Sequence, residues 1–108
     1  VILAGFDWKT EGLEDVTDRE VIAVDYSLEN IEKAEERGMS HLLADLYSDQ
    51  AWAEVNVHEA SFIVSAIRDD EIIEKIEELD VDAEKILVRE QSDEVEEELR
   101  KMLKEALK

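Results

Sequence analysis

The 108-residue sequence has no cysteine, no proline, only three glycines and few basic residues. The absence of cysteine excludes disulfide bonds, thiolate zinc sites and thiol catalysis, which fits a reducing compartment. No apolar run approaches the ~20 residues needed to cross a bilayer. The amino terminus has no basic segment followed by an apolar one, so the sequence does not predict a signal peptide. We therefore expect a soluble cytoplasmic domain that is not itself inserted into a membrane.

Acidic residues dominate the charge. There are 31 Asp and Glu against 12 Lys and Arg, a formal net charge of −19 at pH 7. Nucleic-acid binders need a basic surface, and anionic lipid headgroups repel an acidic one, so both classes of partner are excluded. The apolar content of 44% is that of a folded domain.

The length and the even composition predict one domain over residues 1–108, because repeats and low-complexity linkers are absent. The chain opens directly on an apolar segment at Val1, without Met or a polar lead-in. We therefore expect a domain taken from a longer protein.

Five short apolar runs alternate with segments of helical period, which predicts a parallel α/β sheet whose strands are buried on both faces. The predicted strands are Val1–Gly5, Val21–Asp25, His41–Ala44, Ser61–Ala66 and Lys85–Arg89.

Capping residues and apolar stripes predict the helices. Ser27 caps the first, which ends at Gly38, Asp49 caps the second, and Asp69 or Asp70 caps the third. The buried stripes of these three helices are predicted as Leu28, Ile31 and Ala34, then Trp52 and Val55, then Ile72, Ile73, Ile76 and Leu79.

Two further helical segments are predicted. A weak one of barely two turns spans 11–17. A final amphipathic helix over 92–108 starts near Ser92 and has one apolar face, formed by Val95, Leu99, Met102, Leu103 and Ala106.

Gly5 and Asp25 suggest a mononucleotide-binding βαβ unit. Asp25 follows Gly5 by 20 residues and closes the second strand, where an acid can accept hydrogen bonds from a ribose diol. A structural role in capping the next helix explains an acid at this position equally well.

The glycine loop departs from the dinucleotide pattern G-x-G-x-x-G. The sequence reads Gly5, Phe6, Asp7, Trp8, Lys9, Thr10, so only the first glycine is present. Asp7 would place a negative charge where a pyrophosphate binds, and Lys9 is the one nearby cation. We therefore expect dinucleotide affinity to be weak or lost, unless metal ions or high salt screen Asp7.

Other candidate residues follow the third and fourth strands. Asp45 and Ala66 should lie at the carboxyl edge, where open α/β sheets bind ligands. Asp45 either contacts an adenine or ribose or caps the turn over 46–49. Trp8 either stacks on a base or packs on the rim, and Trp52 is predicted to lie in the core.

Catalytic and metal-binding roles are not predicted. His41 and His58 should lie at the opposite, amino-terminal edge of the sheet, and no nucleophile, zinc or P-loop motif is present. The acidic runs match no calcium-binding loop. We expect neither catalytic residues nor metal ligands.

The segment from Val1 to about Arg89 resembles the TrkA-N or RCK domain, the Rossmann-like regulatory module of potassium channels, Trk/Ktr uptake systems and potassium/proton antiporters. The order and spacing of several motifs carry this resemblance: Val21–Asp25, Glu36–Gly38, Ala44–Asp49, Val55–Ser61, Phe62–Ile67 and Asp69–Glu71.

The resemblance implies a Rossmann-like three-layer α/β/α fold with strand order 3-2-1-4-5. It also implies that NAD(H), ATP or ADP binds at the glycine loop and the carboxyl edge, through Gly5, Asp25 and Asp45. Phe6, Asp7, Trp8 and Ala66 are further candidate cofactor-binding residues. The family's partners are membrane-embedded channel or antiporter subunits, and its members commonly dimerise.

The leading hypothesis is therefore a non-enzymatic regulatory domain of a potassium transport or cation/proton antiport system, with weak or lost nucleotide binding. An NAD-dependent oxidoreductase fragment is one alternative, although the chain offers no second domain with a catalytic acid or base. A module that binds only protein is another.

The acidity also predicts a protein adapted to concentrated salt, as in halophiles that accumulate KCl. At ~1 M salt the Debye length is ~3 Å, so repulsion among the carboxylates is screened, whereas in dilute buffer it opposes the compact state. We predict that the domain loses structure as KCl falls from molar to millimolar concentration. Circular dichroism measures this loss, and a spectrum that stays constant across the range would contradict salt adaptation.

Overall fold

A five-stranded, all-parallel sheet forms the centre of the fold in the computed structural model, which describes residues 1–89 and 93–108. The strand order is β3-β2-β1-β4-β5, with helices on both faces. This arrangement confirms the predicted Rossmann-like α/β fold. The strands are β1 Ile2–Ala4, β2 Ile22–Asp25, β3 Ser40–Leu43, β4 Phe62–Ser65 and β5 Glu84–Leu87.

The strand bounds differ from the predicted ones by one or two residues. β1 ends at Ala4 because Gly5 turns the backbone to a positive φ of 92°. β3 and β5 each begin one residue earlier than predicted, since Ser40 pairs with Ile22 and Glu84 with Phe62. The apolar pattern of the sequence does not predict that Ser40 and Glu84 belong to these strands, because both are polar.

Four α-helices surround the sheet: α1 Leu28–Glu36, α2 Asp49–Glu54, α3 Asp70–Glu78 and α4 Val95–Ala106. Ser27 caps α1, and Asp69 caps α3 by accepting from two backbone amides. The cap of α2 is Ser48, whose hydroxyl accepts from the Gln50 amide at 3.2 Å. The prediction of Asp49 as this cap was wrong by one residue.

The structure corrects several other predictions about the helices. The segment 11–17 contains only a single 3₁₀ turn, Leu13–Asp15, because Gly12 precedes it with a positive φ. Leu28 is exposed rather than buried, since it lies on the outer side of the first turn of α1. Val55 and Leu79 are only partly buried, because each lies at the end of its helix. The predicted start near Ser92 lies outside the described residues.

Alternating strand residues form two apolar layers, one on each face of the sheet. Leu3 faces the layer that includes Ala34 of α1 and Leu99 of α4. Its neighbours Ile2 and Ala4 face the opposite layer, which contains side chains of α2 and α3. The three-layer arrangement therefore follows directly from the period of two along each strand.

The last helix packs its apolar face onto the sheet. Val95, Leu99 and Leu103 are fully buried, and Met102 and Ala106 lie partly buried beside them. These residues recur at the spacing of one helix face, as the sequence predicts. The apolar face of α4 is thus largely covered within the chain itself.

We predict that Leu99→Ala lowers the free energy of unfolding by about 2–5 kcal/mol, because it removes a fully buried side chain and leaves a cavity. Denaturant unfolding in molar KCl measures the change. Lys101→Ala on the exposed side of the same helix is the matched control and should change stability by less than about 0.5 kcal/mol. Equal effects of the two substitutions would show that α4 does not pack as described.

Candidate functional site

A cleft of about 870 Å³ lies at the carboxyl edge of the sheet, where the loops after β1, β2, β3 and β4 meet. From β1 the strand order runs to β2 and β3 on one side of the sheet, and to β4 and β5 on the other. The position between β1 and β4 is therefore the switch point at which open α/β sheets bind ligands. The volume lies within the range of small-molecule sites. Five of the candidate residues line the cleft: Gly5, Asp7, Asp25, Asp45 and Ala66.

The structure does not bring the other two candidates, Phe6 and Trp8, into the lining of the cleft. The side chain of Phe6 is buried in the same apolar layer as Leu3 and Leu99. Trp8 is 54% exposed on the loop after β1 and does not line the cavity. Stacking of Trp8 on a ligand base therefore has no support in this arrangement.

Gly5 is needed for its backbone conformation. Its φ of 92° lies in the region that side-chain-bearing residues rarely adopt, and its amide donates to the Val24 carbonyl at 2.8 Å. A Cβ at this position would lie 3.5 Å from the Ile67 side chain, which is an ordinary contact. The tight turn, rather than lack of space, therefore explains the glycine.

Asp25 fastens the loop after β1 to the start of α1. One carboxylate oxygen accepts from the Phe6 amide at 2.9 Å and from the Asn30 side-chain amide at 3.2 Å. The other oxygen accepts from the Ser27 amide at 2.9 Å. The carboxylate is 7% exposed, and an ionised carboxylate has about four acceptor positions. Three of these are used within the chain, which leaves about one for a ligand hydroxyl.

Several backbone amides of the loop after β1 donate to acceptors within the loop itself. The Lys9 amide donates to the Asp7 carboxylate at 2.9 Å, and the Asp7 amide donates to the Thr10 hydroxyl at 3.2 Å. The amides of Thr10 and Glu11 both donate to the Asp7 carbonyl. In a dinucleotide-binding loop, such amides and the following helix face the pyrophosphate. Here the loop is followed by irregular turns and the short 3₁₀ turn Leu13–Asp15.

Lys9 crosses from this loop to the end of β4. Its ammonium group donates to the Ala66 carbonyl at 2.7 Å and lies 3.3 Å from the Asp7 carboxylate. The residue is only 6% exposed. Burying a charge is costly unless it is paired and hydrogen-bonded, and both conditions are met here. The Asp7 charge that the sequence places in the cleft is therefore paired with a cation of the same loop.

A second link crosses the cleft farther out. The Tyr47 hydroxyl, in the turn after β3, donates a short hydrogen bond to one oxygen of Asp69. The other oxygen of Asp69 caps α3 through the amides of Glu71 and Ile72. The hydrogen bond to Asp69, with smaller contributions from desolvation and from nearby acids, raises the pKa of Tyr47 to about 12. Donation by the same hydroxyl lowers the pKa of Asp69.

Several lining residues were missed as site candidates, among them Thr10, Tyr26, Asn30, Tyr47, Arg68 and Asp69. Most of them lie within a few residues of a strand end. Tyr26 follows Asp25 directly, and Arg68 follows Ala66 by two positions. A search of the positions just after each predicted strand would have found Tyr26, Tyr47, Arg68 and Asp69.

The cleft fits the two halves of a dinucleotide unequally. Asp25 and Asp45 lie where a ribose and its base would bind, and Asp45 already accepts from the Tyr47 amide at 2.9 Å. The pyrophosphate half does not fit, because Asp7 contributes a negative charge and Thr10, in place of the third glycine, is buried against the loop. The residues present therefore do not form a dinucleotide phosphate site.

Residues 1–89 and 93–108 contain neither a candidate metal-binding cluster nor a candidate membrane-spanning helix. This part of the chain contains no group of three or more His, Cys, Asp or Glu side chains placed to hold a metal ion. None of its helices combines the length and low charge of a membrane-spanning segment.

The chain is similar to a known protein family. The family model of the TrkA-N domain matches residues 10–106. The matched range begins after β1 and after Gly5, Asp7 and Lys9 of the loop that follows it. No curated protein and no solved structure gave a significant match.

We predict that the Tyr47 phenol titrates at about pH 12 instead of its ordinary value of 10.0. Because the pKa is higher in the folded state, the stabilisation from this bond is complete below pH ~10 and is lost as the pH rises towards 12. The difference between ultraviolet absorbance titrations of the native chain and Tyr47→Phe isolates this phenol.

In Asp69→Asn, the Tyr47 pKa should return towards 10, since an amide nitrogen replaces the accepting oxygen while the capping oxygen is kept. Asp70→Asn is the matched control, because Asp70 makes no bond to Tyr47, and it should leave the titration unchanged. A Tyr47 titration insensitive to Asp69→Asn would show that the bridge is absent in solution.

Proposed function

Because this chain belongs to the TrkA-N domain family, we propose that it is the cytoplasmic regulatory domain of a potassium transport or cation/proton antiport system. The observation that carries the proposal is the cleft at the switch point between β1 and β4, lined by Asp25 and Asp45. In this role the cleft binds an adenine nucleotide or a related ligand such as NAD(H), ATP or ADP, with affinity reduced by the altered loop. The partner is a membrane-embedded channel or antiporter subunit, and a second copy of the domain completes a homodimer.

Regulation requires that a ligand bind two conformations with different affinity. Two contacts cross the cleft: the Lys9 ammonium on the Ala66 carbonyl, and the Tyr47 hydroxyl on Asp69. The second contact joins the turn after β3 to the start of α3 and is exposed to solvent. A ligand that enters beside Tyr47 competes for this bond and so changes how the two sides of the cleft are held together.

A binding role, rather than a catalytic one, is supported by the positions of the chain's two histidines. His41 lies on the edge strand β3, and its ring contacts the Met39 carbonyl at 2.9 Å. His58 lies in the 3₁₀ turn Val57–Glu59 that precedes β4. Neither residue lines the cleft. We therefore propose that the domain senses a ligand and does not convert it.

We predict that at least one of NADH, ATP, ADP and AMP binds in molar KCl. Isothermal titration calorimetry measures the affinity, and nuclear magnetic resonance shifts should concentrate at Gly5, Asp25 and Asp45. Asp45→Ala should weaken binding about tenfold or more, the loss expected for one hydrogen bond of about 1.5 kcal/mol to a charged group.

The matched control is Asp82→Ala, which removes the same charge from an exposed turn before β5, at the opposite edge of the sheet. It should leave the affinity unchanged. Binding without shifts at the cleft would place the ligand elsewhere. If none of these nucleotides binds, the proposed sensing of nucleotides is wrong.

A further inference from the structure

We infer that the cleft takes a nucleoside without a phosphate group in preference to any phosphorylated nucleotide, because the Asp7–Lys9 ion pair of the chain itself lies where a phosphate would bind. The inference rests on the ligand-binding role proposed above and specifies the chemistry of the ligand. It has three independent supports in the described residues: the loop amides, the charges that face the cleft and the tyrosine side chains.

The loop amides are the first support. A phosphate bound after the first strand of this fold is held mainly by backbone N–H groups. Five amides between residues 6 and 11 donate to acceptors of the chain instead, namely those of Phe6, Asp7, Lys9, Thr10 and Glu11. The carboxylate and the carbonyl of Asp7 together accept three of them. Asp7 therefore supplies internally the acceptor that a phosphate would supply from outside.

The charges of the cleft are the second support. The Lys9 ammonium is 3.3 Å from the Asp7 carboxylate and bonded to the Ala66 carbonyl, so a phosphate could reach it only by approaching the carboxylate. Three further carboxylates line the cleft, those of Asp25, Asp45 and Asp69. Arg68 is the other cation among the described lining residues, and it is exposed at the rim. Phosphate is therefore repelled by more charges than attract it.

Carboxylates that repel a phosphate accept hydrogen bonds from hydroxyl and amino groups. A nucleoside carries both, on its sugar and on its base, whereas a fully ionised phosphate group adds negative charge and no hydrogen to donate. Asp25 keeps about one acceptor position, and Asp45 is exposed with only the Tyr47 amide bound among the contacts described. The donors of a nucleoside thus match the acceptors that the cleft presents.

The tyrosine side chains are the third support. Tyr26 and Tyr47 both line the cleft, and Tyr26 is 73% exposed. Aromatic side chains stack on bases of any sequence, because every base has a π face. Tyr26 follows β2 and Tyr47 follows β3, so the same two loops carry these tyrosines and the carboxylates of Asp25 and Asp45. These two loops can hold a base and a sugar without involving the loop around Asp7.

The test is a calorimetric series on the native chain in molar KCl, with adenosine, AMP, ADP and NADH as ligands. We expect adenosine to bind most tightly, AMP about tenfold more weakly, and ADP and NADH more weakly still. Affinity that rises from adenosine to ADP would overturn the inference while leaving nucleotide sensing intact. Silence from all four ligands would overturn both.

A substitution separates the effect of the Asp7 carboxylate from that of the net negative charge of the protein. Asp7→Asn keeps an oxygen that can accept from the Lys9 amide, but it removes the negative charge beside the ammonium group. AMP should then bind about tenfold more tightly than to the native chain, whereas the affinity for adenosine should change by less than about twofold. Asp18→Asn, which removes one exposed charge before β2, is the matched control and should change neither affinity.

An Asp7→Asn chain that binds AMP no better than the native chain would overturn the assigned role of the ion pair. Circular dichroism of the variant verifies that it is folded. If this variant is not folded, Asp7→Gly is tested instead, because a dinucleotide-binding loop has glycine at this position. The ligand series on the native chain decides the order of affinities without any variant.

Discussion

The carboxylate of Asp25 is the junction on which the carboxyl edge of the sheet depends. It joins the loop after β1, through the Phe6 amide, to the start of α1, through the Ser27 amide and the Asn30 side chain. Because β1 lies in the middle of the sheet, this junction fixes the loop over the cleft and the first helix beside it. In a nucleotide-binding βαβ unit an acid at this position is a ligand contact, whereas here most of its capacity maintains the structure.

Elsewhere in the molecule, acidic side chains are likewise bonded within the chain or exposed to solvent. Asp7 is paired with the buried ammonium of Lys9, and Arg37 on the surface bonds Glu11 and Glu14, so that it joins α1 to the 3₁₀ turn Leu13–Asp15. Most of the remaining acids lie on exposed surfaces. Salt therefore screens repulsion chiefly among the exposed carboxylates, while Asp25 is buried at the cleft.

The fold was predictable because it depends on periodicity, whereas much of the site was not. Leu3 and its neighbours alternate between two faces, and Leu99 and Leu103 recur at helical spacing, so strand order and helix packing followed from apolar pattern and family resemblance. Which polar groups meet is decided by distances across the sheet. The reach of Lys9 to Ala66, 57 residues away in sequence, and of Tyr47 to Asp69 has no local signature. Phe6 was misplaced because a loop position does not reveal that its side chain turns into the core.

The family match does not include the first residues of the loop after β1. The TrkA-N match covers residues 10–106, which include four of the five strands and all four α-helices, and it begins after Gly5, Asp7 and Lys9. Those three positions decide whether the cleft can hold an anion, because a glycine loop binds phosphate through free amides and tolerates no carboxylate among them. Membership of the family therefore supports the regulatory role, while the residues before the match include Asp7, whose carboxylate is paired with the Lys9 ammonium of the same loop.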